Sequence, residues 1–289
     1  MSIDPNRVQK PVRKLRKLLK QMPSQPTQDQ VHDLRTNARR LHAMVDSSSV
    51  RVNGKTRRIL KDVSRMRKRA GQVRDMDVLT AMAASLQPQA GEKACLVQLL
   101  EKLGAERREH AKSLHTIVAK RRKRVRNRLK KISHHLERAF EATDNSSKRG
   151  SVEMAASALK LETGLGAPAR LVRSNLHAYR LKVKELHDLL RTSHDGEQQF
   201  VKVLATVKDS IGEWHDWEEL AGLVKETVDH GPKCGLLSQI KQVAEKKFEI
   251  AMDKTQSMRK RYIQTSAPKR RMTVQPSEPV WHATRAIAA

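Results

Sequence analysis

Apolar residues recur along this chain at i, i+3, i+4 and i+7, set among Lys, Arg, Glu and Gln. On a helix of 3.6 residues per turn that spacing gathers the apolar side chains into one stripe and leaves the rest to solvent. No segment alternates apolar and polar with period two, so no strand is predicted. The residues between the apolar positions are good helix formers, and propensity agrees with pattern. The expected fold is all-α.

Prolines, glycines and serine clusters divide the pattern. A first helix is predicted over Asp4–Lys20 and ends at Met22–Thr27, where Pro23 and Pro26 deny backbone donors. A second spans Asp29–Ser47 and is broken by Ser47–Ser49 and Asn53–Gly54. A third runs over Lys55–Leu86 with an interruption expected near Gly71, and a turn follows at Pro88 and Gly91. A long helix covers Glu92–Ala142, with a bend expected at Gly104. Thr143–Ser147 with Gly150 reads as a linker. Beyond it come helices over Val152–Glu162, Ala169–Thr192, Gln198–Val228 and onward to Tyr262, separated by Gly164, Gly166 and Pro168, by His194–Gly196, and by Gly231–Pro232. The organisation is one helical domain over 1–265, with halves of about 1–142 and 150–265. Residues 266–289 read as a flexible basic tail holding Pro268, Pro276 and Pro279.

The two halves share a repeat. Val31–His42 and Leu176–His187 align without gaps: His32 with His177, Arg35 with Arg180, Arg39 with Lys184, Leu41 with Leu186, His42 with His187. A second echo follows each, Gly71-Gln72-Val73-Arg74-Asp75-Met76-Asp77 and Gly212-Glu213-Trp214-His215-Asp216-Trp217-Glu218. Two matches in the same order indicate two related halves of about four helices each.

At ~100° per residue, His32, Arg35, Arg39 and His42 fall within about one quadrant, while Leu34, Ala38, Leu41 and Val45 take another sector. Arg40 lies off the basic face by roughly a third of a turn. His177, Arg180, Lys184 and His187 share a face in the same way, with Val183, Leu186 and Leu190 on the apolar one. Each helix therefore carries cations about one turn, ~5.4 Å, apart. Arg forks onto two oxygens, Lys acts as a point charge, and neutral His still donates one hydrogen bond. Such a ladder suits a repetitive anion, and two ladders facing one another would form a trough of summed positive potential. A charge run on one helix is most often only a solvated face; its duplication is what lifts this one above that reading.

Composition points the same way. Lys and Arg number 59 against 31 Asp and Glu, a net charge of +28, far beyond what solubility requires and in need of a polyanionic partner. Aromatics are 3% of the chain, which counts against base stacking as the mode of recognition. No run of ~18 apolar residues predicts a membrane span, and the N-terminus shows no apolar signal core. Cys95 and Cys234 stand far apart in sequence and make neither a metal motif nor a disulfide framework. The expected compartment is a reducing cytoplasm.

The densest basic run, Lys120–Lys131, places Arg121, Arg124, Arg128 and Lys131 as an auxiliary basic surface. It could bind nucleic acid nonspecifically through phosphates, the alternative to a dedicated polymer site. His134 and His135 are adjacent and diverge on a helix, as do His110 and His115, so no metal site is expected. Asp75, Asp77, Asp216 and Glu218 lack a partner base, nucleophile or metal cage; pairing with Arg between helices, or capping, is their expected role. No phosphate-binding glycine loop is present. The residues predict no catalysis, no cofactor and no membrane partner, and leave the oligomeric state open.

At these residues the sequence resembles the CHAD family, the conserved histidine α-helical domain. Its first motif, roughly His-x-x-Arg-x-x-x-Arg-Arg-Leu-Arg, is matched by His32, Arg35, Arg39, Arg40 and Leu41, with His42 in place of the last Arg. Its second is matched by Leu176, His177, Arg180, Lys184 and Leu186, with Glu185 and His187 replacing basic residues. Gly71 to Leu79 resembles a third segment. The resemblance, which reaches to about residue 263, implies two pseudo-symmetric four-helix bundles with a basic cleft between them, binding of inorganic polyphosphate, and association with polyphosphate granules. The histidine replacements thin the ladder at one end and make that end pH-sensitive, since histidine ordinarily gains its charge near pH 6.5.

Overall fold

The structure is a computed structural model, described over residues 5–47, 54–143, 158–190, 198–229 and 234–263. Among these residues the regular elements are all helical. They are α1 (Pro5–Gln21), α2 (Gln28–Ser47), α3 (Gly54–Ala84), α4 (Lys93–Thr143), α5 (158–166), α6 (Arg173–Leu190), α7 (Gln198–Thr227) and α8 (Gly235–Tyr262), with a single 3₁₀ turn at Ala90–Glu92. The breaks expected at Ser48–Asn53, His194–Gly196 and Gly231–Pro232, the linker around Gly150, the start of the Val152–Glu162 helix and the tail all lie outside the described residues.

Helix starts are set by side chains. Thr27 Oγ1 accepts the Gln30 backbone N–H at 3.2 Å, and Gln30 Oε1 accepts that of Thr27 at 2.9 Å. This reciprocal pair satisfies two donors at the start of α2. Asn175 Oδ1 accepts the Val172 N–H at 2.9 Å. It starts α6 at Arg173, four residues later than the pattern alone predicts, and leaves Ala169–Val172 as a bent, non-helical approach after Pro168.

Neither Gly71 nor Gly104 breaks its helix: α3 and α4 run through them. A helical glycine costs about 1 kcal/mol relative to alanine. The burial of Ala70 and Val73 on one side, and of Leu99, Leu103 and Ala111 on the other, outweighs that.

Three apolar cores follow from the stripes. α1, α2, the first part of α3 and the last part of α4 bury Leu15, Leu34, Met66 and Leu129 among others. α5, α6, the first part of α7 and the last part of α8 bury Leu165, Tyr179, Leu204 and Met258. Between them, the end of α3, the start of α4, the end of α7 and the start of α8 enclose a shared core around Leu79, Leu99, Leu220 and Ile240. The long helices α3, α4, α7 and α8 thus each serve two cores and tie the halves together.

Cys95 and Cys234, distant in sequence, meet in that shared core with their side chains hydrogen-bonded. Burial, and then the neighbouring thiol, pushes the Cys95 pKa up. The pair is a product of tertiary packing that spacing could not reveal.

Candidate functional site

The stripe that holds α2 in its core, Leu34, Ala38, Leu41 and Val45, is buried. It turns the other side of the helix outward. There His32, Arg39 and Arg40 are exposed, and Arg35 and His42 are half-buried. On α6, Leu176, Val183 and Leu186 are buried, leaving His177, Arg180 and Lys184 half-buried beside them. His187 departs from the pattern. It is buried, with Nδ1 3.3 Å from Asp188 Oδ1, and so lies behind the ladder rather than on it.

The second echo supplies the supports. Arg35 Nη1 lies 3.7 Å from Asp75 Oδ1 on α3. Arg180 donates through Nε to the Lys208 carbonyl at 3.2 Å and acts electrostatically on Asp216, both on α7. The aligned carboxylates Asp75 and Asp216 therefore face the corresponding ladder arginines. The next aligned pair, Asp77 and Glu218, holds the frame. Arg107 on α4 donates through Nε to Asp77 Oδ1 at 2.7 Å and through Nη2 to the Pro26 carbonyl at 2.8 Å. Arg173 donates to Glu218 at 2.5 Å, pairs also with Glu245, and lies 4.5 Å from the Phe248 ring centroid. Asp75, Asp77, Asp216 and Glu218 thus each face an arginine on another helix, while Glu213, which has Gln72 as its counterpart in the first echo, pairs with Lys247 of α8 at 2.7 Å.

The ladders lie within electrostatic range of one another. Lys184 of α6 has its pKa lowered by partial burial and then by Arg39 of α2, with Arg180 and Arg67 reinforcing and Asp188 opposing. Partial burial also lowers the Arg35 pKa; Asp75 works the other way, and Arg39, Arg74 and Arg67 add to the lowering. Cations of α2, α3 and α6 crowd one region.

Arg67 and Arg74 lie outside the repeated His/Arg/Lys motif. A signal existed: they are seven residues apart and share a face of α3, and Arg74 sits inside the first echo.

Next to the cations lies a titratable group of the opposite character. Burial raises the Asp216 pKa to about 6; Arg180 and His215 oppose this, while Glu219 and Asp75 add to it. The His177 and His215 rings stand 4.3 Å apart. Burial, then His215 and Arg180, lowers the His177 pKa, and its Nδ1 is buried without a described partner. No group of three or more His, Cys, Asp or Glu among the described residues could hold a metal ion.

Of the auxiliary surface, Arg121 and Arg124 are committed to a buried carboxylate, Asp62 on α3, which Arg65 also approaches at 3.6 Å. Arg128 is half-buried and Lys131 exposed.

Comparison with protein families matches residues 6–225 to the CHAD domain. The chain belongs to the CHAD family. The match covers both ladder helices and both echoes, so the CHAD assignment rests on the residues that build this region. No curated protein and no solved structure matched the chain. No helix among the described residues of this CHAD domain is long and apolar enough to cross a membrane.

Proposed function

We propose that this CHAD domain binds inorganic polyphosphate, without catalysis, in a basic cleft between two pseudo-symmetric four-helix bundles, α1–α4 and α5–α8. The observation that carries the reading is the duplicated cationic face that α2 and α6 leave uncovered beside their buried apolar stripes, with Arg39 and Arg67 acting on Lys184 from the other half. Like charges within electrostatic range of one another destabilise the compact chain, and a polyanion laid between them removes that cost. The duplicated motif and the two terminal cores support the bundle symmetry. His32, Arg35, Arg39, Arg40, His42, His177, Arg180 and Lys184 contact the polymer; His187 backs the α6 rungs. Arg67 and Arg74 extend the cationic wall. The protein acts in the cytoplasm, at polyphosphate granules.

A second reading, nonspecific binding of nucleic acid through the α4 basic run, draws on the charge of Lys120–Lys131. The scarcity of aromatic side chains weighs only against recognition by base stacking, and competition between DNA and polyphosphate decides between the two ligands.

The test is a polyphosphate-binding isotherm at two salt concentrations. Tight binding that weakens steeply with salt is expected. Removing Arg35, Arg39, Arg180 and Lys184 together should abolish it while helical circular dichroism stays intact. Undiminished affinity in that variant, or displacement of polyphosphate by DNA at equal phosphate concentration, would overturn the site or the ligand respectively. Unchanged polymer length over time, with and without divalent metal, is expected of a binder.

A further inference from the structure

Away from the ladder, a groove of about 400 Å³ runs between the start of α3 and the late part of α4. Lys55, Arg58, Arg124, Arg128 and Lys131 line it, with Ile59 and Asn127. That volume is within the ~300–1,000 Å³ range of small-molecule sites. Its cations come from two helices in register. Arg124, Arg128 and Lys131 stand at i, i+4 and i+7 on α4, and Lys55 and Arg58 at i and i+3 on α3, so each set shares one helix face.

The groove has a built-in support. Asp62, buried and one turn beyond Arg58, accepts from Arg121 and Arg124 together. A single carboxylate thus fixes Arg124 at the wall and leaves the local charge strongly positive. Lys55, Arg58, Arg128 and Lys131 pair with no described carboxylate. Arg128 Nε is buried without a hydrogen-bond partner.

On α3, Arg67 and Arg74 lie roughly 160–180° around the helix from Arg58 and about 100–120° from Lys55. The groove and the ladder therefore open on different sides of α3 and are two sites, not one continuous track.

We propose that this groove is a second anion site, taking a short chain of linked phosphates, so that one molecule holds two phosphate chains at once. The cations match oxygens spaced along a short chain, and Arg forks onto pairs of them. A nucleic acid is the poorer fit, because no aromatic side chain lines the groove to receive a base. The ligand class rests on the polyphosphate reading above; the existence of a second site does not.

The experiment titrates tripolyphosphate into the full chain by calorimetry, at low salt. Two binding sites per chain are expected. The variant Lys55→Ala, Arg58→Ala, Arg128→Ala, Lys131→Ala should retain one, and the Arg35→Ala, Arg39→Ala, Arg180→Ala, Lys184→Ala variant should retain the other. The Asp62 support is left intact so that the first variant folds, which circular dichroism checks. Full parental stoichiometry in the groove variant overturns the proposal. Full stoichiometry in the ladder variant instead overturns the ladder assignment and leaves the groove standing. A short DNA duplex that binds the ladder variant, which tripolyphosphate then fails to bind, overturns the ligand class. A milder pair, Lys55→Gln with Lys131→Gln, should weaken the groove site severalfold and leave the ladder site unchanged.

Discussion

The Arg180 guanidinium lies directly over Gly212: a Cβ on that glycine would come within 2.5 Å of Arg180 Nη2 and 3.0 Å of Cζ. The corresponding glycine of the first half, Gly71, has open space where its Cβ would be. The two echoes share a sequence position but use it differently. In the second half the missing side chain lets the ladder arginine rest against α7, close to the Lys208 carbonyl it donates to. Gly212→Ala should therefore move Arg180 and weaken polyphosphate binding severalfold. Stability should hold or rise, since alanine is better in a helix by about 1 kcal/mol and the atoms that must yield are the far end of a flexible side chain. Gly71→Ala should give only the gain in stability. Equal binding by the two variants would show that the Arg180–Gly212 contact does not set the ladder geometry.

Asp216 gives a pH signature. Its pKa is raised by burial from 3.8 to about 6, with Arg180 of α6, Asp75 of α3, and its own neighbours His215 and Glu219 acting on it. The folded state therefore holds the proton more tightly than the unfolded one. The associated stability is complete below about pH 4 and is lost as pH rises through about 6. Asp216→Asn should be more stable than the parent at pH 7.5, by about 1 kcal/mol once partial exposure is allowed for. The difference should vanish below pH 4. Urea unfolding across this range measures it; a variant less stable than the parent at pH 7.5 would mean that the Arg180 charge outweighs burial. The same substitution removes a negative charge beside the ladder and should tighten polyphosphate binding at pH 7.5.

The ladder was legible in the sequence because it is local. One helical period places His32, Arg35 and Arg39 on one face and Leu34, Ala38 and Leu41 on another, and packing merely turns the apolar face inward. The same arithmetic puts His187 on the ladder face, but the structure buries it beside Asp188. The face of a helix is readable from spacing, whereas how far neighbouring helices cover its margin is not. Asp62 shows the limit more sharply. It reads as one acid in a basic helix, yet it gathers Arg65, Arg121 and Arg124 because α4 returns along α3. The lengths of α3 and α4 carry the same lesson: glycine is a local signal for a break, and distant core contacts override it.

Asp77 and Glu218 are echo partners with unequal burdens. Asp77 is buried, and Arg107 bridges it to the Pro26 carbonyl, locking α3, α4 and the turn before α2. Removing its carboxylate strands a partly buried guanidinium, which typically costs 3–5 kcal/mol. Asp77→Ala should cost about 3 kcal/mol, and the partial exposure of Arg107 keeps it at the lower end. Glu218 is 39% exposed, and Arg173 keeps Glu245 when it is lost. Glu218→Ala should cost about 1 kcal/mol or less. Denaturant midpoints at constant m-value test the contrast, and similar losses at the two positions would contradict it.

Cys95 and Cys234 report on the joint between the halves. One stands at the start of α4, the other just before α8, and both are buried in the core that the four long helices share. Thiol reagents attack the thiolate, and burial with the neighbouring thiol raises the Cys95 pKa, so the folded protein offers little of the reactive form. Reaction must then wait for the shared core to open. Labelling with a chromogenic disulfide reagent should be far slower than in the unfolded chain, and both thiols should react together, because a single opening exposes both. Polyphosphate, by neutralising the cations that repel across the same joint, should slow labelling further, and the ladder variant should not show that protection. Rapid labelling of one cysteine while the other stays protected would mean that the core opens at one helix rather than between the halves.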